Sequence, residues 1–318
     1  MARKRREPGW PASPEPLPSP VPDNHTHLES VLGVREEPGP ASLDEHLDLA
    51  ASVGVARMVQ VGCDLDAIAW TDAVLRADAG ADVVPPVPMR AGRRALLGAV
   101  AIHPNEAVLH AGVHEVAPDG LDPDPGPAHE LSLDDALATV ERTARDNDRV
   151  RAIGETGLDY FRAGPRGRAV QREAFRAHIA LAKELGLAMQ IHDRDAHDDV
   201  VDLLRRDGAP ERTVFHCFSG GPALAEVCAA EGWFASFAGP VTFGANDDLR
   251  AALRVLPLDR VLVETDAPYL TPHPLRGRPN SPYLVPLTVR RIADELGQDL
   301  DTLCRTLART TERVYGTW

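Results

Sequence analysis

The sequence predicts an α/β protein, a (β/α)8 TIM barrel with C-terminal helices packed on it. Three observations carry this. Short apolar, β-branched runs recur eight times, and each ends in polar residues. Amphipathic stretches separate them, the pattern of parallel β/α units. About 295 residues follow the first 22, enough for a fold whose usual size is about 250. An open doubly wound sheet is the alternative. The absence of G-x-G-x-x-G weakens its dinucleotide-binding version.

The elements follow in order. Residues 1–22 begin with Arg3, Lys4, Arg5 and Arg6 and continue with seven prolines from Pro8 to Pro22. No apolar segment follows the basic start, so a secretory signal is not expected. The composition predicts an unpacked, disordered tail. A single domain is expected over 23–318. A very short strand precedes His25. Further strands are expected near 57–63, 96–103, 150–155, 188–192, 213–216, 233–238 and 260–264. Ala169–Leu185 carries Ala, Phe, Ile and Leu at three- and four-residue spacing and reads as an amphipathic helix. The stretches 80–94 and 110–131 read as exposed loop insertions. The last 35 residues read as helix, packed on the barrel and without a chemical role.

The chain has 318 residues and a net charge of −14, with 43% hydrophobic and 26% charged residues. That is a globular composition. No apolar run approaches the roughly 20 residues of a membrane span. Cys63, Cys217, Cys228 and Cys304 are scattered, with no C-x-x-C pair. A disulfide scaffold is therefore not expected, and a cytoplasmic location is the simpler expectation. The acidity argues against a broad basic surface for nucleic acid.

Chemistry-bearing residues fall at strand ends. Asp23-Asn24-His25-Thr26-His27 follows the first strand. Glu155 ends the fourth, His192 the fifth, His216 the sixth, and Glu264-Thr265-Asp266 the eighth. In a (β/α)8 barrel these ends converge on one face, where active sites are built. His-x-His on a strand puts both imidazoles on one side, within reach of one metal ion. Alone, that pair is a weak signal. The conjunction is stronger, because unpaired His and carboxylates at apolar strand ends are costly.

The motifs DNHTHLE, AIHPNE, AIGETGLDYFR, QIHDRDA, VFHCFSG and VETDAPYLTP resemble, in this order, the TatD-type metal-dependent deoxyribonucleases of the amidohydrolase-like barrel superfamily. The resemblance spans about residues 23 to 316. It implies two divalent metal ions (Zn, Mn, Co or Mg). His25, His27 and Asp266 would hold one, His192 and His216 the second, and Glu155 would bridge them. Two such ions clamp the attacking and leaving oxygens of a phosphoryl displacement and activate water. Glu155 and Asp266 are then the catalytic residues, with Asp266 also able to accept a proton. The implied reaction is cleavage of DNA phosphodiesters at strand ends or in single strands.

By the same resemblance His103 contacts substrate phosphate. Its other reading is a strand-end histidine satisfied by backbone. Arg194 is the second expected substrate contact, able to pair with phosphate. Asp159 is expected to orient a ligand histidine or a loop. Cys217 is expected to point away from the metals, by strand alternation. Two positions depart from the family. Asp193 stands where Ser or Cys is more usual, and Arg278-Pro279-Asn280-Ser281-Pro282 replaces Arg-Asn-Glu-Pro.

Other functions stay open at this stage. The same machinery could hydrolyse another ester or amide, such as a D-aminoacyl-tRNA or a lactone. A non-catalytic metal-binding protein is a third class. The DNA partner is expected to be single-stranded, with no membrane and no protein partner implied. Arg162, Arg166, Arg168, Arg172, Arg194, Arg276 and Arg278 follow barrel strands. Together with the four charges of two divalent ions, they predict a positive mouth on an otherwise acidic barrel, with modest salt dependence of binding.

Overall fold

The computed structural model describes residues 9–318. Eight strands form one sheet: β1 (Asp23–Thr26), β2 (Met58–Gly62), β3 (Leu96–Val100), β4 (Val150–Asp159), β5 (Ala188–Arg194), β6 (Thr213–Phe215), β7 (Phe234–Phe237) and β8 (Val261–Val263). Each pairs in parallel with the next in sequence. The ring closes between the first and last strands. Asp266 N–H donates to the His25 carbonyl and His27 N–H to the Ala267 carbonyl, both at 2.9 Å. That seam sets His25 and His27 beside Asp266. The expected barrel is the observed one.

Helices fill the crossovers: α1 (Leu28–Gly33), α2 (Leu43–Ser52), α3 (Leu65–Asp78), α4 (Pro104–His110), α5 (Leu133–Asp146) and α6 (Pro165–Leu185). They continue as α7 (His197–Asp207), α8 (Pro222–Glu231), α9 (Asp247–Val255), α10 (Val285–Leu296) and α11 (Leu300–Tyr315). Ser42, Asp64 and Ser132 cap α2, α3 and α5 by accepting from backbone N–H groups, as short polar side chains do at helix starts.

The core has two parts, as strand alternation requires. One lies between the sheet and the helices and includes Met58, Val100, Ile153, Phe175 and Phe215. The other includes Val59, Val61, Leu97, Ala152, Ala188, Val214 and Phe234, joined by Val314 and Tyr315 from the end of α11. These are the alternate residues that fill the barrel interior. The C-terminal helix therefore plugs the barrel as well as packing on it.

The N-terminal expectation needs correction over residues 9–22. Trp10, Leu17 and Val21 are buried. Backbone N–H groups of Trp10, Leu17 and Val21 donate to the carbonyls of Pro38, Val53 and Gly54. The Arg278 guanidinium donates to the carbonyls of Gly9 and Trp10, and Tyr283 Oη to that of Pro11. Prolines leave carbonyls free to accept and fix an extended backbone. Three buried apolar side chains and these hydrogen bonds anchor it. The four basic residues Arg3 to Arg6 lie outside the described residues.

Candidate metal centre

Glu155 is the hub of the strand-end cluster. β4 carries one extra residue relative to β5 between Ile153 and Thr156. Before this bulge Ala152 faces the interior and Ile153 the helices. After it Thr156 and Leu158 face outward, Thr156 meeting His178 on α6 at 3.0 Å. The bulge thus shifts the alternation by one and turns Glu155 inward.

The carboxylate of Glu155 divides the histidines between its two oxygens. Oε1 lies 2.6 Å from His192 Nδ1, 2.8 Å from His216 Nε2 and 3.5 Å from His103 Nε2. Oε2 lies 3.6 Å from His25 Nε2 and 3.8 Å from His27 Nε2. Asp266 Oδ1 is 3.5 Å from His27 Nε2 and 3.9 Å from His25 Nε2. All six sequence-derived ligand candidates meet here. Their potential ligand atoms fall into three groups, each within 4.8 Å: His25, His27 and Glu155; His25, His216 and Asp266; His103, Glu155 and His192.

Each histidine is oriented from behind. His25 Nδ1 is 3.0 Å from Gln190 Oε1. The amide of Gln190 is itself fixed, because Nε2 donates to the Asn24 carbonyl and to Tyr315 Oη, both at 2.8 Å. His27 Nδ1 is 3.2 Å from the Val61 carbonyl. His216 Nδ1 is 3.1 Å from Glu264 Oε1, which also accepts from Cys217 N–H. His192 Nε2 is 3.2 Å from Asp159 Oδ2. In every case one ring nitrogen faces an acceptor, which turns the other toward the carboxylates, with His25 Nε2 and His27 Nε2 3.2 Å apart.

Charge follows from this packing. Burial alone would raise the Glu155 carboxyl. The charges of His216 and His103 and the bonds from His103 and His192 override it and hold the group well below its usual range. Burial would likewise lower His27 and His192. Asp266 lifts His27 to about 9, and Asp159 with Glu155 lifts His192 to about 9. His216 is also raised against burial, by Glu155 and Glu264. The cluster therefore favours positive charge. A divalent cation would supply it: four imidazoles and two carboxylates form a donor set that suits Zn, Mn or Co better than Mg.

Other sequence-derived residues are placed as follows. His103 is both capping and facing the cluster: Nδ1 accepts from Asn105 N–H at 3.1 Å while Nε2 faces Glu155. Arg194 is exposed on the cavity rim, its guanidinium 4.0 Å over the Phe161 ring. Asp159 contacts His192, as expected. Asp193 turns to His197 Nδ1 at 2.7 Å.

Three expectations fail. Cys217 lines the cavity, because β6 ends at Phe215 and Cys217 has a φ of +39°, so alternation no longer applies. The C-terminal helix does reach the chemistry, through Tyr315, Gln190 and His25. The mouth is not positive. The cavity, about 920 Å3, is lined by eleven Asp and Glu residues and two arginines, Arg162 and Arg194. Arg168 lies over Tyr160, Arg172 binds Asp199, Arg276 lies over Phe243, and Arg278 binds the N-terminal segment. The insertion at 110–131 supplies much of the acid: Glu115, Asp119, Asp122 and Asp124 form one wall.

Sequence reasoning missed Gln190 and Glu264 as orienting groups, and Tyr315 behind Gln190. Gln190 sits two residues before His192, so alternation could have placed it inward. Nothing local marks Tyr315.

A parallel barrel with inward histidines around one shared carboxylate defines a metal-dependent hydrolase of the amidohydrolase-like fold. Comparison with known proteins sharpens this. The TatD related DNase family matches residues 22–316, and the chain belongs to that family. A Mycobacterium tuberculosis protein named an uncharacterized metal-dependent hydrolase, TatD, is 37% identical over 298 residues, 92% of this chain and 97% of that protein. A 3'-5' ssDNA/RNA exonuclease TatD of Erwinia amylovora is 36% identical over 67% of this chain and 80% of its own. The solved structure of YjjV, a TatD homologue of Escherichia coli, superposes with a TM-score of 0.73 at 23% identity, over 94% of this chain and 98% of that one. That likeness concerns the fold. No helix among the described residues is long and apolar enough to cross a membrane.

Proposed function

We propose that this protein hydrolyses phosphodiester bonds in single-stranded DNA, acting at strand ends. One observation carries the reading: Glu155 faces His192 and His216 with one oxygen and His25 and His27 with the other. A carboxylate so placed would bridge two cations. His25, His27 and Asp266 would hold one and His192 and His216 the other, with His103 near enough to join the second. When bound, two divalent cations supply Lewis acidity and activation of water for an in-line displacement.

The side chains do the rest. Gln190, Glu264, Asp159 and the Val61 carbonyl keep the imidazole nitrogens aimed inward. Asp266, held ionised by His27 and neighbouring histidines against burial, can accept a proton from the attacking water. Arg194 at the rim can take a phosphate oxygen. The Erwinia amylovora relative's name, a ssDNA/RNA exonuclease, agrees with this substrate. A cytoplasmic location belongs to the same reading, with all four cysteines free.

The test is a substrate panel on protein loaded with Mn or Zn. End-labelled single-stranded DNA should shorten progressively, and chelator should stop it. If DNA survives while an aminoacyl-tRNA or a lactone is cleaved, the same machinery serves another ester. If no substrate class is cleaved, the protein is a metal-binding one.

A further inference from the structure

The charge on the cavity wall sets the problem. A protein that holds DNA by its phosphates needs clustered Lys and Arg. Here eleven carboxylates, the cluster's own Glu155, Asp266 and Asp159 included, and two arginines line the cavity. Even two divalent cations leave that surface negative. Affinity for a strand must therefore come largely from another part of the nucleotide.

The described lining residues hold one aromatic ring that is not an imidazole, Tyr269. Its side chain is far from the usual buried aromatic, since the residue is 57% exposed. Its backbone is nonetheless fixed. Tyr269 N–H donates to the Asp266 carbonyl at 2.9 Å. The Asn280 amide donates to the Tyr269 carbonyl and, at 3.0 Å, to that of Thr265. The ring itself has one ring contact, edge to face with His27, centroids 6.2 Å apart. So a rigidly mounted phenol begins at the ligand cluster and leaves most of its surface open. On the strand that carries His192, the exposed Arg194 guanidinium lies over the Phe161 ring, 4.0 Å from its centroid. Aromatic faces and guanidinium planes are the platforms on which unpaired bases stack, whatever their sequence.

We propose that Tyr269 is the nucleobase platform of this site. The base next to the scissile phosphate stacks on its ring, and the Arg194–Phe161 plate serves the neighbouring base. The protein thus grips single strands by their bases, and the acidic wall keeps out stacked duplex, which offers only phosphates. This rests on the phosphodiester reading above.

The experiment compares two oligothymidylates with Mn-loaded protein, one intact and one with abasic tetrahydrofuran units at both ends. Wild type should cleave the intact strand about tenfold better in kcat/KM, the size of one lost stacking contact. Tyr269→Ala should lower kcat/KM on the intact strand about tenfold, through KM, and bring the two substrates together. Tyr269→Trp should restore the preference, and metal content should not change. A Tyr269→Ala variant that slows both strands equally, or neither, overturns the proposal. If wild type cleaves neither strand, the phosphodiester reading itself fails, and this inference falls with it.

Discussion

The molecule buries two kinds of histidine, and they behave oppositely. At the barrel mouth His27, His192 and His216 are buried or nearly so, yet each holds its proton more tightly than usual. Outside the mouth, His46 and His178 are equally enclosed, and burial pushes both down to about 4. The difference lies in their partners. The mouth histidines face Glu155, Asp266, Asp159 and Glu264. His46 meets the Ser281 hydroxyl, and His178 meets Thr156 and accepts from Ile102 N–H. His25 sits between the two kinds: its Nδ1 faces the neutral Gln190, and burial with the His216 charge lowers it. Burial alone makes a neutral structural histidine. Carboxylates make the same residue part of a site that demands cations.

The hardest blow to this contrast is removal of the shared carboxylate. Glu155→Gln should abolish hydrolysis, a loss of at least about 10^3 where a group serves both binding and chemistry. Its melting temperature in chelator should fall at neutral pH, since His192 and His216 lose the carboxylate that pairs with their protons. Activity surviving in this variant would show that the cluster is not the engine.

Next in size is the orienting layer. Gln190→Leu removes the acceptor behind His25 and leaves the Tyr315 hydroxyl without its donor. Metal affinity should fall by about 10–100-fold, the usual range for such partners. Tyr315→Phe should fall less, because Gln190 keeps its bond to the Asn24 carbonyl. Titration of chelated protein with Zn measures both. An unchanged affinity for Gln190→Leu would mean that His25 orients itself.

The neutral pair predicts acid sensitivity. Folded His46 and His178 sit near 4, below the unfolded value of about 6.5. Their contribution is full above pH 6.5 and is lost as pH falls from there toward 4, on the order of 3 kcal/mol for each at most. The melting temperature should drop across that window in chelator. The His46→Gln/His178→Gln variant should show a flatter profile there, whatever its absolute stability.

The smallest effect belongs to the wall. Asp122 and Asp124 are exposed on the insertion. Asp122→Asn/Asp124→Asn should raise kcat/KM on single-stranded DNA a few-fold at low salt. The gain should vanish at high salt, where screening acts on the wild type as well.

Which parts the sequence revealed follows from how local each cause is. The strand-end ligands could be read because an apolar run ending in His, Glu or Asp is a local pattern, and the barrel does the converging. The eight-strand count could be read for the same reason. The packed segment 9–22 could not. Trp10, Leu17 and Val21 are thinly spread among prolines, and their acceptors lie around residues 38–54, with Arg278 far along the chain. The arginines misled because charge was read from loop position. Tyr160, Phe243 and the N-terminal carbonyls draw them away from the mouth. Cys217 misled because alternation was extended past the last strand residue. Tyr315 and Gln190 are 125 residues apart, and only the closed barrel brings them together.

The central claim is that Glu155 joins two cation-binding halves into one hydrolytic centre. The most direct test is to strip the protein with chelator and titrate it with Mn or Zn, following bound metal and cleavage of single-stranded DNA together. The account predicts two ions bound per chain, cleavage rising with occupancy, and Glu155→Gln binding fewer ions with no cleavage. Full cleavage by the stripped protein, or two ions bound just as tightly by Glu155→Gln, would contradict it.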